Sequence, residues 1–208
     1  MNTNLFFDVE DKIQKYVERE PLVTTPCLWL AGKAYWVNNN FERLIIKEGL
    51  SIKIKQEHIH SKIRLSDMYI TNHNDCRKEL KLIVMHQYAV ASNDHFTFVS
   101  PTDKVIFHFA NSQVFLVNGV ASREKIQQST VQPVWNVKTD NLWSCRENGH
   151  LKYQPMAKGL AASLYSIQLS IPACKTVKSS NWVIQGSAKD ELLELNKAVL
   201  KKHTSISI

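Results

Sequence analysis

The sequence is poor in the residues that break regular structure. It holds six glycines and six prolines among 208 residues, which is too few for a low-complexity or disordered protein. The hydrophobic content of 44% can supply an interior, and a compact chain of this length buries roughly 70% of the surface that its unfolded form exposes. The sequence shows no internal repeat and no linker, so we expect a single domain over residues 1–208.

Cysteine is equally sparse. Four cysteines stand far apart in the chain, at positions 27, 76, 145 and 174. The absence of any C-x-x-C pair excludes a zinc knuckle and a thioredoxin-type redox motif. A disulfide framework is not expected in a chain of this length with so few cysteines.

Long apolar runs are missing as well. No apolar stretch approaches the 18 or so residues that a membrane-spanning helix needs. The amino terminus meets acidic residues at Asp8 and Glu10 and lacks the basic start of a secretory signal. We therefore predict no membrane association and a cytoplasmic location with reduced thiols.

The charge is unbalanced, yet it forms no long run of one sign. The formal net charge is +7 and the sequence pI is about 9.2, but the basic residues are scattered along the chain. A positive balance favours anionic partners through long-range attraction. The pattern predicts a modestly basic surface, and it leaves nucleic-acid binding as an alternative rather than the favoured function.

What the sequence does contain is a strict alternation of apolar and polar residues. The alternation is clearest at Leu80, Leu82 and Val84 and returns at Val105 and Phe107. A period of two is typical of strands that bury one face. Turn residues separate many such segments, which predicts a mainly β fold: an antiparallel, sandwich-like single domain.

Two segments depart from this period. Apolar residues recur at three- and four-residue steps over residues 6–19, which predicts a short N-terminal helix before a β core at about 26–185. Residues 188–202 carry leucines at helical spacing, acidic residues at the start and basic residues at the end. This arrangement predicts a capped C-terminal helix over residues 188–202.

Local patterns predict three further features. A polar loop joins Arg64–Thr71 to Leu80–Val90, so we expect these segments to form the arms of one hairpin. The pair Asn148-Gly149 is a strong hairpin turn. Residues 134–137 are predicted to form a short strand in the least regular part of the chain.

No motif of nucleophilic or phosphate chemistry is present. The sequence lacks a G-x-S-x-G elbow and a glycine-rich phosphate loop. We therefore assign no catalytic and no cofactor-binding residues.

Histidines provide the one candidate metal site. By alternation, His58, His60 and His86 continue the inward-facing phase of their strands, and three imidazoles can hold a divalent ion with an open position. No acidic residue follows the His58-x-His60 pair closely, and the other interpretation is that these histidines sit at strand ends or bond core carbonyls. His95 and His108 are further candidates without a recognisable nucleophile.

Tryptophans provide a candidate ligand site. Trp135 and Trp143 lie in the least regular part of the chain, where exposed aromatic rings can form a platform for sugars or other flat ligands. Trp29 and Trp182 stand among apolar neighbours and read as core residues.

These observations favour a non-catalytic interaction or ligand-binding module with a protein or small-molecule partner. Pairing of an exposed sheet edge would make it a homodimer. The alternatives are a metal-dependent or carbohydrate-active enzyme that uses inward-facing histidines, and a nucleic-acid binder with a basic surface.

Overall fold

The computed structural model describes residues 22–38, 41–89, 94–110, 112–121 and 124–204. The predicted N-terminal helix over residues 6–19 lies outside the described residues.

Sixteen strands and three helical segments make up the described part of the chain. The strands are β1 (Leu22–Leu30), β2 (Lys33–Trp36), β3 (Glu42–Ile45), β4 (Leu50–His60), β5 (Ile63–Asn72), β6 (Lys78–Tyr88), β7 (Phe96–Ser100), β8 (Val105–Ala110), β9 (Gln113–Ala121), β10 (Glu124–Lys125), β11 (Gln128–Pro133), β12 (Trp143–Cys145), β13 (His150–Leu151), β14 (Met156–Lys158), β15 (Ala161–Ile171) and β16 (Thr176–Gly186). The helical segments are a 3-10 turn (Ile46–Glu48), a short helix α1 (Val134–Lys138) and a C-terminal helix α2 (Lys189–Thr204).

The strands form two large sheets. One has five strands in the order β11-β15-β6-β1-β2, and the other has nine, in the order β14-β7-β8-β9-β16-β5-β4-β3 with β10 beside β9. Strands β12 and β13 form a separate small sheet. Every strand pairing among the described residues is antiparallel. The predicted fold class, mainly β and antiparallel, is confirmed.

The alternating pattern produces the core between the two sheets. Leu80, Leu82 and Val84 of β6 are buried there, in one cluster with residues of the nine-stranded sheet such as Ile52 and Met68. Each fully buried side chain of this size contributes roughly 1.5–3 kcal/mol relative to an exposed one. The sandwich-like arrangement therefore follows from the period of two that the sequence displays.

The C-terminal helix covers the outer face of the nine-stranded sheet. Leu192 and Val199 pack in one cluster with Trp182, and Asn196 fixes the contact through its side-chain oxygen. That oxygen accepts hydrogen bonds from Trp182 Nε1 at 2.9 Å and Asn118 Nδ2 at 3.0 Å. The helix lies within two residues of its predicted bounds, so this prediction is confirmed.

The outer face of the five-stranded sheet carries a second apolar cluster. Cys27, Ile83 and Leu164 of the sheet are buried there with Leu142 and Leu151. The predicted Asn148-Gly149 hairpin is confirmed, since β12 and β13 pair around it. This hairpin and α1 lie over the sheet and build the site that is described below.

The predicted hairpin of Arg64–Thr71 with Leu80–Val90 is wrong. Strand β5 pairs with β4 and β16, whereas β6 pairs with β1 and β15 in the other sheet. Asn72 marks the crossing at the end of β5, where its Nδ2 donates to the carbonyl oxygens of Cys76 at 2.7 Å and Ile171 at 3.2 Å. A polar loop joins strands equally well within a sheet and between sheets, and the sequence does not distinguish the two.

The strand expected at residues 134–137 is also wrong, because this segment is helix α1. It begins directly after Pro133, and Asn136 Nδ2 donates to Gln132 Oε1 at 3.0 Å across the first turn. Val134 and Val137 are three residues apart, which suits one face of a helix. Four residues are too few for the period to separate strand from helix.

Candidate functional site

A groove crosses the outer face of the five-stranded sheet between that sheet and helix α1. Its volume is about 480 Å³, and we call it the helix–sheet groove. Its apolar lining residues are Ala34, Trp36, Met85, Val134 and Val137. Its polar lining residues are Asn38, Gln87, Lys138, Asp140 and Arg146.

The strand registers place the floor of this groove. Trp36 on β2 is the partner of Cys27 on β1, and Thr25 on β1 is the partner of Met85 on β6. Side chains two residues apart on a strand point to the same face. Trp36 and Met85 therefore share the outer face, with β1 running between their strands.

Helix α1 forms one wall. Val134 is buried in the apolar cluster of this sheet face, and Val137 and Lys138 lie on the groove side of the same helix. Trp135 does not line the groove, and its side chain is 60% exposed. The wall thus rests on a buried valine and presents one apolar and one charged side chain.

The other wall is held by Asp140. One of its carboxylate oxygens accepts a hydrogen bond from Trp143 Nε1 at 2.7 Å, and the other pairs with Arg146. Arg146 Nε donates in turn to the carbonyl oxygen of Gly32 at 3.0 Å. These contacts tie the end of α1, the β12–β13 hairpin and the β1–β2 turn together and fix this wall.

Lys138 is the exception among the charged lining residues. Asp140 and Arg146 neutralise each other, but Lys138 has no acidic partner within the described ranges. It is exposed at the end of α1. The groove therefore carries one uncompensated positive charge.

The structure does not bring the predicted metal ligands together. His58 and His60 are exposed at the end of β4, whereas His86 is completely buried between the sheets. His58 keeps the register of Ile52 and Ile54 but is exposed at the strand end, and a register shift after it breaks the alternation at His60. Among the described side chains, no group of three or more His, Cys, Asp or Glu could hold a metal ion.

A different set of histidines gathers inside the sandwich. The ring of Tyr88 lies 4.0 Å from that of His95 and 5.6 Å from that of His108, measured between centroids. His86 is linked to this group through Ser163, which is its register partner on β15 and whose hydroxyl lies 2.8 Å from His108 Nε2. We call His86, His95 and His108 the histidine cluster.

The histidine cluster has the wrong environment for acid–base catalysis. His108 is fully buried, and its second ring nitrogen lies 3.1 Å from Thr97 Oγ1. Burial lowers the pKa of His108 to about 3, and burial likewise holds the pKa of His86 well below its usual range. Both imidazoles are therefore neutral and weakly basic, and the Ser163–His108 contact lacks access to solvent.

Several polar atoms around His86 have no hydrogen bond. Both ring nitrogens of His86 are in this state, as are Thr24 Oγ1, Ser66 Oγ and Asn181 Nδ2. Thr24 is the register partner of His86 on β1, and Ser66 is the partner of Asn181 in the facing sheet. The Asn181 amide lies close enough to act on the pKa of His86, although no bond of ordinary geometry joins them.

Neither tryptophan of the predicted platform lines the helix–sheet groove. Trp135 is exposed on α1, and Trp143 supports the wall through its hydrogen bond to Asp140. The ring in the groove is Trp36. Trp36 stands two residues after Ala34, so the sequence indicates that both side chains lie on the same face of β2. The strand has only four residues, which makes this signal weak.

An apolar edge stands on the other sheet. Phe41, Leu44 and Ile46 are exposed along and beside β3, the edge strand of the nine-stranded sheet. Unpaired edges of this kind permit pairing with a second chain. Homodimer formation stays a prediction, and this apolar edge is a candidate surface for it.

No protein-family model matches the chain, and a comparison with curated proteins finds no match. Within the described residues, no helix combines the length and the apolar character that crossing a membrane requires.

Proposed function

We propose that the protein is a non-catalytic ligand-binding module and that the helix–sheet groove is its binding site. The observation that carries the proposal is a groove of about 480 Å³ with an apolar floor and separate polar groups along its rim. Sites for small ligands have volumes of roughly 300–1,000 Å³ and the same division between apolar lining and a few polar groups.

The contacts of the walls support this proposal. A site binds more tightly when its groups are ordered before the ligand arrives, because less conformational entropy is lost on binding. Asp140 already holds Trp143 and Arg146 in place, and Arg146 reaches across to Gly32. The groove is therefore suited to recognition without rearrangement.

The chemistry of the lining favours binding over catalysis. The described lining contains no histidine, cysteine, serine or threonine. Its one carboxylate, Asp140, already has both oxygens engaged. A nucleophile with an adjacent base, the usual requirement for covalent catalysis, does not occur among these residues.

The test is occupation of the groove by a neutral fluorescent probe, phenylnaphthylamine, whose emission rises in apolar surroundings. We expect saturable binding with one site per chain. Ala34→Phe fills the floor of the groove and should abolish this binding. Lys33→Phe is the matched control, because Lys33 neighbours Ala34 on β2 but points to the opposite face of the strand. Equal binding by wild type and Ala34→Phe, with folding verified by circular dichroism, would contradict the proposal.

A further inference from the structure

The charges in the helix–sheet groove restrict the kind of ligand that it can take. Both oxygens of Asp140 are used, one by Trp143 Nε1 at 2.7 Å and one by Arg146. The acid is therefore neutralised, and so is the arginine. Lys138 is left as a cation without an acidic partner in the described part of the chain.

A positive charge of this kind selects the sign of the ligand. A cationic ligand would be repelled by Lys138, and a neutral one would leave its exposed ammonium group hydrated, with no gain from the charge. An anionic group gains a charge-assisted hydrogen bond, which is shorter and stronger than a neutral one. Among the described lining residues there is only one such cation, so a single anionic group is matched and a polyanion such as nucleic acid is not.

The floor of the groove restricts the body of the ligand. Trp36 is half-buried, with Met85 on the same sheet face. Aromatic rings stack favourably on a tryptophan face, and methionine sulfur makes favourable contacts with aromatic rings. Ala34 leaves space beside Trp36 where a larger side chain would fill the groove. The floor is thus suited to a flat, apolar body.

We infer that the helix–sheet groove binds a small aromatic acid, with its ring on Trp36 and its anionic group at Lys138. The inference rests on the proposed function and adds the chemical class of the ligand to it. The carboxamides of Asn38 and Gln87 are available at the rim for hydroxyl or carbonyl groups of such a ligand.

Two matched probes test this inference. Anilinonaphthalene sulfonate and phenylnaphthylamine share the same aromatic body, and only the first carries an anionic group. We expect the wild-type chain to bind the sulfonate more tightly than the neutral probe. Lys138→Gln should weaken sulfonate binding by roughly fivefold, the upper range for an exposed charge pair, and should leave phenylnaphthylamine unchanged. Lys158→Gln, at an exposed lysine on β14 outside the groove, should change neither.

The outcomes separate this inference from the proposed function. If both probes bind alike and Lys138→Gln affects neither, the aromatic-acid inference is overturned, while groove binding stands as long as Ala34→Phe abolishes it. If neither probe binds, or if Ala34→Phe leaves both bound, the proposed function fails and the inference fails with it. A selective loss of the sulfonate in Lys138→Gln, together with loss of both probes in Ala34→Phe, supports both.

Discussion

At the residue scale, the most unusual feature is a group of histidines kept neutral inside an apolar sandwich. Buried imidazoles normally have hydrogen-bond partners. His108 has two, in Thr97 and Ser163, whereas both ring nitrogens of His86 have none. His86 therefore bears the larger cost of burial. Because burial lowers the pKa of both imidazoles, the stability of the fold depends on pH.

The sign of this dependence follows from the pKa values. Burial lowers the pKa of His86 and of His108 in the folded chain, while an unfolded histidine has a pKa of about 6.5. Below that pH the unfolded chain binds more protons than the folded chain, so the free energy of unfolding falls as the pH falls. The fall continues towards the folded pKa, which is about 3 for His108.

We predict that His108→Gln makes the protein less sensitive to acid. Wild type should lose about 2 kcal/mol of unfolding free energy through His108 alone between pH 7 and pH 5, and the variant should not. Urea unfolding at the two pH values measures the difference. His150→Gln, at an exposed histidine, is the control and should behave as wild type. The same loss in His108→Gln as in wild type would show that this imidazole is not held neutral.

The sequence predicted the inward direction of His86 but not its companions. The alternation of β6 fixes that direction, because Leu82 and Val84 share the phase of His86. His95 and His108 lie before β7 and on β8 of the facing sheet, and the meeting of the two sheets depends on strand order. No local pattern encodes strand order, so the histidine cluster could not be assembled from the sequence.

At the element scale, the groove depends on how the chain leaves helix α1. Asp140 has a φ of 60°, a left-handed conformation that aspartate tolerates better than most residues. In this conformation its carboxylate reaches both Trp143 and Arg146. One residue therefore sets the turn and holds the wall.

We predict that Asp140→Ala is considerably more harmful than Asp140→Asn. Alanine loses both contacts and is strained at this φ, so the free energy of unfolding should fall by about 2–3 kcal/mol. Asparagine keeps an acceptor for Trp143 and tolerates the left-handed region, so its cost should be about 1 kcal/mol. Chemical denaturation of the two variants provides the comparison. Equal losses would mean that Asp140 acts only through its charge.

The elements also show where local sequence patterns are sufficient and where they are not. Long strands with an uninterrupted period, such as β6 and β15, are where the pattern places them. Residues 134–137 form a helix and not the predicted strand, because a four-residue window is compatible with both. His58 and His60 failed for another reason. His58 keeps the phase of Ile52 and Ile54 but is exposed near the end of β4, and the register shift that follows it changes the phase of His60. Nothing in the composition marks either feature.

At the scale of the whole molecule, a missing side chain allows a close contact between the two sheets. Gly119 on β9 faces Tyr165 on β15, and a Cβ atom at Gly119 would lie 2.2 Å from the tyrosine Oη. The hydroxyl of Tyr165 donates to Asn181 Oδ1 at 2.8 Å on the nine-stranded sheet. The glycine thus permits a hydrogen bond that joins the sheets.

We predict that Gly119→Ala destabilises the sandwich by about 1–3 kcal/mol or more, as overpacking does in other cores. The cost should be smaller when Tyr165→Phe is present, because the clashing oxygen is then absent. A double-mutant cycle of unfolding free energies measures this coupling. Strictly additive costs would show that the alanine is harmful for a reason unrelated to the spacing of the sheets.

The same architecture explains why the proposed ligand site lies outside the sandwich. The space between the sheets is filled by the apolar core and the histidine cluster. The nine-stranded sheet is covered on its outer side by the C-terminal helix. On the five-stranded sheet, helix α1 has only five residues and covers part of the face, which leaves the groove open beside it.

The most direct test of the proposed binding site is the response of the indole N–H resonances to anilinonaphthalene sulfonate in a two-dimensional NMR spectrum. Five tryptophans give five such resonances, and single Trp→Phe variants assign them. We predict that the Trp36 signal shifts most and that the buried Trp182 signal does not move. A shift at Trp135 with Trp36 unchanged would contradict the groove as the binding site and would favour the exposed tryptophan instead.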